Sequence, residues 1–485
     1  MNNGKVLWLV TRAAAAGLLL TASVAQAQTA PAAPAAPAPA SASDSLTWKG
    51  FTFYGIVDIG LQYQTHGVPA SDYFPAGTET IIQKNSQGSI TAVTPNNLSQ
   101  SRIGLSANEP LVGDWAGVFR LETYFNPQSG NISDALKSLA LNNGKVLKDQ
   151  ITNVDSSIDG QFFGIAYAGF SSPTIGTFTF GRQLTPVADG IAKYDPMGAA
   201  NAFSLIGFSG TAGGGGDTED RRLDQTFKYT GKYDWLHLGA LYQFSGSTGS
   251  TNTAVQVTVG GEFAGLSVDA WYGKKYDAVA ASALSVAQVA DITHACVTAS
   301  TPPVTTTVSI PCYSLSNSVA GTVSDNTVYM IAGLYNFGTV KVYAGYENIK
   351  FEKPTDPLPN GSIIEGGYIL PLPNNTAYNA SSKTLQVAWT GAKWNPTPAL
   401  ELTIQYVGYW QNAYATGAHA GCSTNVVAQC SGTENSIGAL VDYRLSKRFD
   451  WYLGTLWTEV KDGLANGYDF NTSTISTTTG IRFKF

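Results

Sequence analysis

The side chains in this chain that could do covalent chemistry are few and poorly spaced for it. There are four histidines, His66, His237, His294 and His419. Three of them fall in segments that read as loops, and none stands at nucleophile–base spacing from a serine or cysteine. "GFSG" at Gly207 lacks the strand–turn–helix context of a nucleophile elbow, and "AGGGGD" at Ala212 lacks the Gly-Lys-Ser/Thr end of a phosphate loop. The four cysteines form two close pairs, Cys296 with Cys312 and Cys422 with Cys430, in Thr/Ser/Gly-rich segments. In an exported chain such pairs predict two local disulfides. Zinc is the alternative, but only His294 lies near them. The residues therefore predict no enzyme, no cofactor and no metal. What remains is charge, and its use depends on which elements hold it.

Those elements read as strands. Charged residues make up only 13% of the chain, with 51 Gly, 24 Tyr and 21 Phe. No apolar run long enough for a membrane-spanning helix follows the N-terminal region. Residues 51–64 alternate, with Phe51, Phe53, Val57, Ile59, Leu61 and Tyr63 on one face and Thr52, Tyr54, Asp58, Gly60, Gln62 and Gln64 on the other. This is the period of a strand with a different solvent on each side. Sixteen such segments recur, ending with 475–485, where Ile481, Phe483 and Phe485 alternate with Arg482 and Lys484. Most are long enough to cross hydrocarbon when tilted. Their connections alternate between long, such as 65–99, 182–222 and 276–326, and short, such as 170–173, 231–234 and 264–265. A secreted sandwich or adhesin of similar composition has no reason to gather its tight turns at one end. An outer-membrane barrel does, with short turns in the periplasm and long loops outside. The fold class expected is all-β: a transmembrane antiparallel β-barrel of 16 strands whose last strand closes against the first and leaves no edge for lipid to face.

The N-terminus supports export. Lys5 and Arg12 precede an apolar stretch from Ala13 to Leu20, and Ala25-Gln26-Ala27 offers a small-x-small cleavage site. Residues 1–27 read as a signal peptide, 28–47 as a Pro/Ala-rich tether, and 48–485 as the barrel.

By its motifs the chain resembles the general porins of Gram-negative outer membranes, a family of sixteen-stranded and usually trimeric channels. The resemblance lies in "FTFYGIVDIGLQY", "SQSRIGLSANEPLVGDWAGVFRLETYFN", "GTFTFGRQLTP" and the terminal Phe485, and it covers essentially everything after the tether. The tether, the cysteine pairs and the length of several loops exceed the compact family pattern. The resemblance implies a water-filled channel for small hydrophilic solutes and ions, or alternatively a channel with a solute-specific constriction. It implies a homotrimer set among outer-membrane lipids and lipopolysaccharide, assembled by the barrel-assembly machinery through Phe485, with no nucleic acid among its partners.

It also implies that the third outside loop, residues 183–222, folds into the pore. That loop would bring Asp189, Asp195, Asp217, Glu219 and Asp220 to face a basic ladder that Arg102 and Arg120 match by position. Parity agrees independently. Ile103 and Leu105 face outward, so Arg102 faces the lumen; Phe119, Leu121 and Phe125 face outward, so Arg120 and Glu122 face it too. Arg182 joins them only if Gly181 bulges its strand or the strand ends there. Opposed carboxylates and guanidiniums would set a transverse field across a narrow slot, while the arginines could also pair with Glu122 and hold the loop. The two charge sets nearly balance, which predicts weak ion preference with a slight lean to cations.

Overall fold

The computed structural model describes residues 46–66, 88–132, 163–206, 222–244, 253–282, 318–357, 364–365, 368–424, 427–465 and 472–485. The signal peptide, nearly all of the tether, Cys296 and Cys312, and Asp217, Glu219 and Asp220 lie outside them. The barrel unit runs from Leu46 to Phe485.

It is a closed antiparallel barrel of 16 strands. The first half comprises β1 (Phe51–Gln64), β2 (Arg102–Pro110), β3 (Ala116–Asn126), β4 (Ile165–Ser172), β5 (Gly176–Leu184), β6 (Arg222–Tyr233), β7 (Leu236–Gln243) and β8 (Ala254–Phe263). The second half comprises β9 (Leu266–Ser282), β10 (Ser318–Asn336), β11 (Val340–Glu352), β12 (Lys383–Thr397), β13 (Leu400–Gln411), β14 (Gly432–Arg444), β15 (Phe449–Asp462) and β16 (Ser473–Lys484). Each of the sixteen predicted segments is a strand. Two are much longer than their alternation: β9 and β10 continue as a paired ribbon to Ser282↔Ala320, past a register shift after Lys275. Five short strands among the described residues lie outside the expected segments, including Asn131–Ile132, Ile364–Glu365 and Tyr368–Asn374 in the long connections. Leu46–Trp48 folds back on the start of β1, and Ile90–Pro95 pairs with its far half.

Closure explains the aromatic terminus. β1 and β16 pair from Gln64↔Ser476 to Ile56↔Lys484, and Phe485 extends the ladder by exchanging both backbone hydrogen bonds with Gly55, at 2.9 and 3.1 Å. Its ring lies 5.7 Å from that of Phe53 and 6.0 Å from that of Phe483. The outer surface is a band of exposed Phe, Tyr, Trp, Val and Ile, as a lipid-facing surface must be. The tight turns, such as Asp234–Trp235 and Ala264–Gly265, all lie at one end. Cys422 and Cys430 form a disulfide in a loop at the other.

Candidate functional site: the lumen and its third loop

The chain leaving β5 turns into the barrel as a helix, α1 (Pro186–Tyr194). Thr185 caps it by accepting from the Ala188 N–H at 3.2 Å, and Pro186 opens the first turn, where a missing N–H costs nothing. Val187, Ile191 and Tyr194 share one face of the helix and are buried. They meet an inner wall that is itself apolar, with Trp271, Met330, Ile349, Val387 and Trp389 among its members. Polar ties fix the helix along its length. Asp189 is paired with Lys228. Lys193 reaches Asp269 at 2.9 Å, and the Tyr194 hydroxyl donates to the same carboxylate at 2.7 Å. The Trp389 indole N–H donates to the Tyr194 carbonyl at 3.0 Å.

Past the helix, Asp195 is fully enclosed. Its carboxylate accepts from the N–H groups of Met197 and Ala199 at 2.9 and 2.7 Å and from Gln405 at 2.7 Å. Burial pushes its acidity down, raising its pKa above the ordinary aspartate value. The loop then follows the wall, with Phe203 edge-on to Tyr452, and the Tyr409 hydroxyl donating to the Leu205 carbonyl. The described part of the third loop thus lies along the inner face of the barrel from β6, through Lys228, round to β15.

The wall of β1 to β4 is left to the lumen, and it is polar. Tyr54, Gly104 and Glu122 lie in one row across β1, β2 and β3. The Tyr54 ring occupies the space above Gly104, where a Cβ would stand 2.2 Å from it. Glu122 is buried and accepts from Arg120 at 2.6 Å, from Tyr54 at 3.0 Å and from Tyr124, with the Arg102 Nε at 3.6 Å. Arg120 also donates to the Tyr54 hydroxyl at 2.7 Å. The Arg222 guanidinium sits over the Tyr124 ring, 4.6 Å from its centre. Two guanidiniums therefore flank one carboxylate, with Arg102 and Arg120 about one-third exposed to the lumen, while Arg222 covers the Tyr124 ring beside them.

The structure brings together Arg102, Arg120 and Glu122 of the expected residues. The other described ones are elsewhere. A bulge does follow Gly181, where the pairing with β6 shifts register, but Arg182 ends on Asp224 of that strand. Asp195 is a packing group of the loop, and Asp189 is engaged by Lys228. Sequence reasoning missed Arg222, which it read as the last residue of the loop, one position before the strand it expected from Leu223; the structure begins β6 at Arg222. It put Tyr54 on the inner face without seeing that it bridges Arg120 and Glu122.

A family profile described as Gram-negative porin matches residues 13–463. The chain belongs to this Gram-negative porin family. Its members' place, the outer membrane, is also that of a curated relative, an outer membrane porin protein from Bordetella pertussis, 27% identical over 196 residues. That match spans 40% of this chain and 42% of the relative's length. Among solved structures, an anion-selective porin from Comamonas acidovorans superposes with a TM-score of 0.57 at 17% identity, covering 90% of this porin and 99% of the other. A trimer form of OmpT from Vibrio cholerae gives 0.54 at 13% identity, with 90% and 99% covered. At these identities the likeness is one of fold.

Proposed function

We propose that this porin forms a water-filled channel for passive diffusion of small hydrophilic solutes and ions across the Gram-negative outer membrane. The observation that carries this reading is the asymmetry of the lumen. The third loop covers the apolar half of the inner wall and leaves the arginine-bearing half free to water. A polar, partly hydrated wall beside a rigid loop suits solutes that keep some of their water. We also infer a lean to anions. The slight cation lean counted Asp189, Asp195 and the run Asp217–Asp220; Asp189 is neutralised by Lys228, Asp195 is enclosed, and the run lies outside the described residues. On the open wall Arg102 and Arg120, each about one-third exposed, stand beside a single buried carboxylate, Glu122. We further propose a homotrimer, supported by the exposed apolar face of β1 with Phe51, Phe53 and Leu61 and by the fold shared with a protein solved as a trimer.

The test is reconstitution of the purified protein. Liposome swelling should fall smoothly with solute size across sugars and amino acids, and in planar bilayers conductance should close in three equal steps at high voltage. Swelling confined to one solute would replace the general channel with a solute-specific one, and single-step closure would argue for a monomer.

A further inference from the structure

β2 does not continue smoothly from the Ile90–Pro95 strand. Ile59 pairs with Pro95 and Ile56 with Arg102, so Val57 and Asp58 alone stand opposite residues 96–101. A bulge ordinarily adds one residue; here six leave the ladder and enter the lumen. Asp58 is fully buried and holds them. One carboxylate oxygen accepts the N–H groups of Leu98 and Ser99 at 2.9 and 2.8 Å, and the other accepts the Tyr452 hydroxyl at 2.6 Å. Its backbone takes the two ends of the detour, accepting from the Asn96 N–H at 2.9 Å and donating to the Ser101 hydroxyl at 2.9 Å. Gly60 leaves the space: a Cβ there would stand 2.7 Å from the Asn97 amide nitrogen.

The detour in turn presents its carbonyls to the third loop. The Asn96 carbonyl accepts from the Asn201 side chain at 2.9 Å, and the Asn97 carbonyl accepts from the Ala202 N–H at 2.9 Å. Leu98 packs in one apolar cluster with Met197, Phe203 and Tyr452. Arg482 of β16 donates to the Ser99 hydroxyl at 2.9 Å, so the seat spans the seam where first and last strands meet.

We propose that Asp58 is a positioning residue for the constriction. It touches no permeant ion. It shapes the detour on which the far end of the third loop docks, and thereby fixes how far that loop stands from the arginine wall. Two neutral backbone donors and a hydroxyl converge on one carboxylate, a set of charge-assisted bonds that no neutral side chain of that size can accept in full. Because the seat is built from β1, β15 and β16, the loop finds it only once the barrel has closed.

This inference rests on the channel reading, and the experiment separates the two. Single-channel conductance and open-channel noise are recorded for the wild type, Asp58→Ala and Asn201→Ala, each first checked as a heat-resistant barrel. Asp58→Ala should raise conductance and lose the quiet open level; Asn201→Ala, which touches no barrel strand, should move both in the same direction by less. In the Asp58→Ala background, Asn97→Cys with Ala202→Cys places two thiols on adjacent backbones within disulfide reach. Oxidation should restore the quiet wild-type level, as a general loss of stability would not allow. Wild-type conductance and noise in folded Asp58→Ala would overturn the proposal. If that variant fails to assemble, a wild-type trace from Asn201→Ala would overturn it. A wild type that does not conduct would instead defeat the channel reading.

Discussion

The two halves of the inner wall do different work with the same backbone. From β9 to β15 the lumen-facing positions carry an apolar patch, with Trp271, Val328, Phe351, Leu385, Val407 and Leu456 all buried, set among buried polar side chains such as Gln405, Glu434 and Asp450, and the third loop lies against it. From β1 to β4 the corresponding positions include Tyr54, Arg102, Arg120, Glu122 and Tyr124; the two arginines are partly exposed and cover the buried Glu122 and Tyr124. A barrel of this width cannot be filled by wall side chains alone. Covering one half with a loop gives the barrel a small hydrophobic core and the loop a fixed place. The other half is then free to be polar without leaving the loop's backbone unsupported. Stability and recognition are separated by position around the barrel.

The comparison can be broken first on the covered side. Trp389→Ala removes a buried indole and its hydrogen bond to the Tyr194 carbonyl. A Trp→Ala change in a packed site costs about 3–5 kcal/mol, so the variant should unfold at markedly lower denaturant in detergent and show a noisier open channel. Unchanged unfolding would mean that the loop is not part of the core. Deleting Phe485 tests closure, which both halves need. It removes two backbone hydrogen bonds to Gly55, worth about 1 kcal/mol each, together with the ring contacts to Phe53 and Phe483. The yield of heat-modifiable barrel in outer membranes should fall, while the molecules that do assemble conduct normally. Normal yield would count against a structural role for the terminal residue.

The comparison also explains what could be read in advance. Strands such as β1 and β16 were plain because lipid on one face and water on the other enforce a strict period of two. The ends of β9 and β10 were not, because residues such as Ala278 and Ser324 pair beyond the outer-face alternation, where neither solvent imposes a pattern. Pairing around residues 96–101 was hidden for another reason. Asp58 reads as one more polar inner residue, and only contacts with Leu98, Ser99 and Tyr452, distant in sequence, give it a role. The site divides in the same way. Parity reached Arg102, Arg120 and Glu122, since each sits in a regular strand. It did not reach Arg222, the first residue of β6 and one position outside the alternating segment, nor could it tell that Asp195 is enclosed by the loop itself. The run Leu385, Val387 and Trp389 on the inner face of β12 is the signal for the loop: apolar side chains on the water side of a barrel wall must have something packed on them.

The smallest change in stability should accompany the largest change in selectivity, on the open side. Arg120 is about one-third exposed, and if it is lost Glu122 keeps Tyr54 and Tyr124 as donors and Arg102 nearby. A charge in a narrow aqueous passage acts through a lower effective dielectric than in bulk and is only partly screened within about 8 Å at physiological salt. The reversal potential in a potassium chloride gradient, measured for the wild type and for Arg120→Ser, is therefore the most direct test of this division. The wild type should reverse on the anion-selective side of zero, and Arg120→Ser should shift toward cations while its barrel remains heat-resistant. An identical reversal potential in the folded variant would contradict the account, because the arginine wall would then not face the path of the ion.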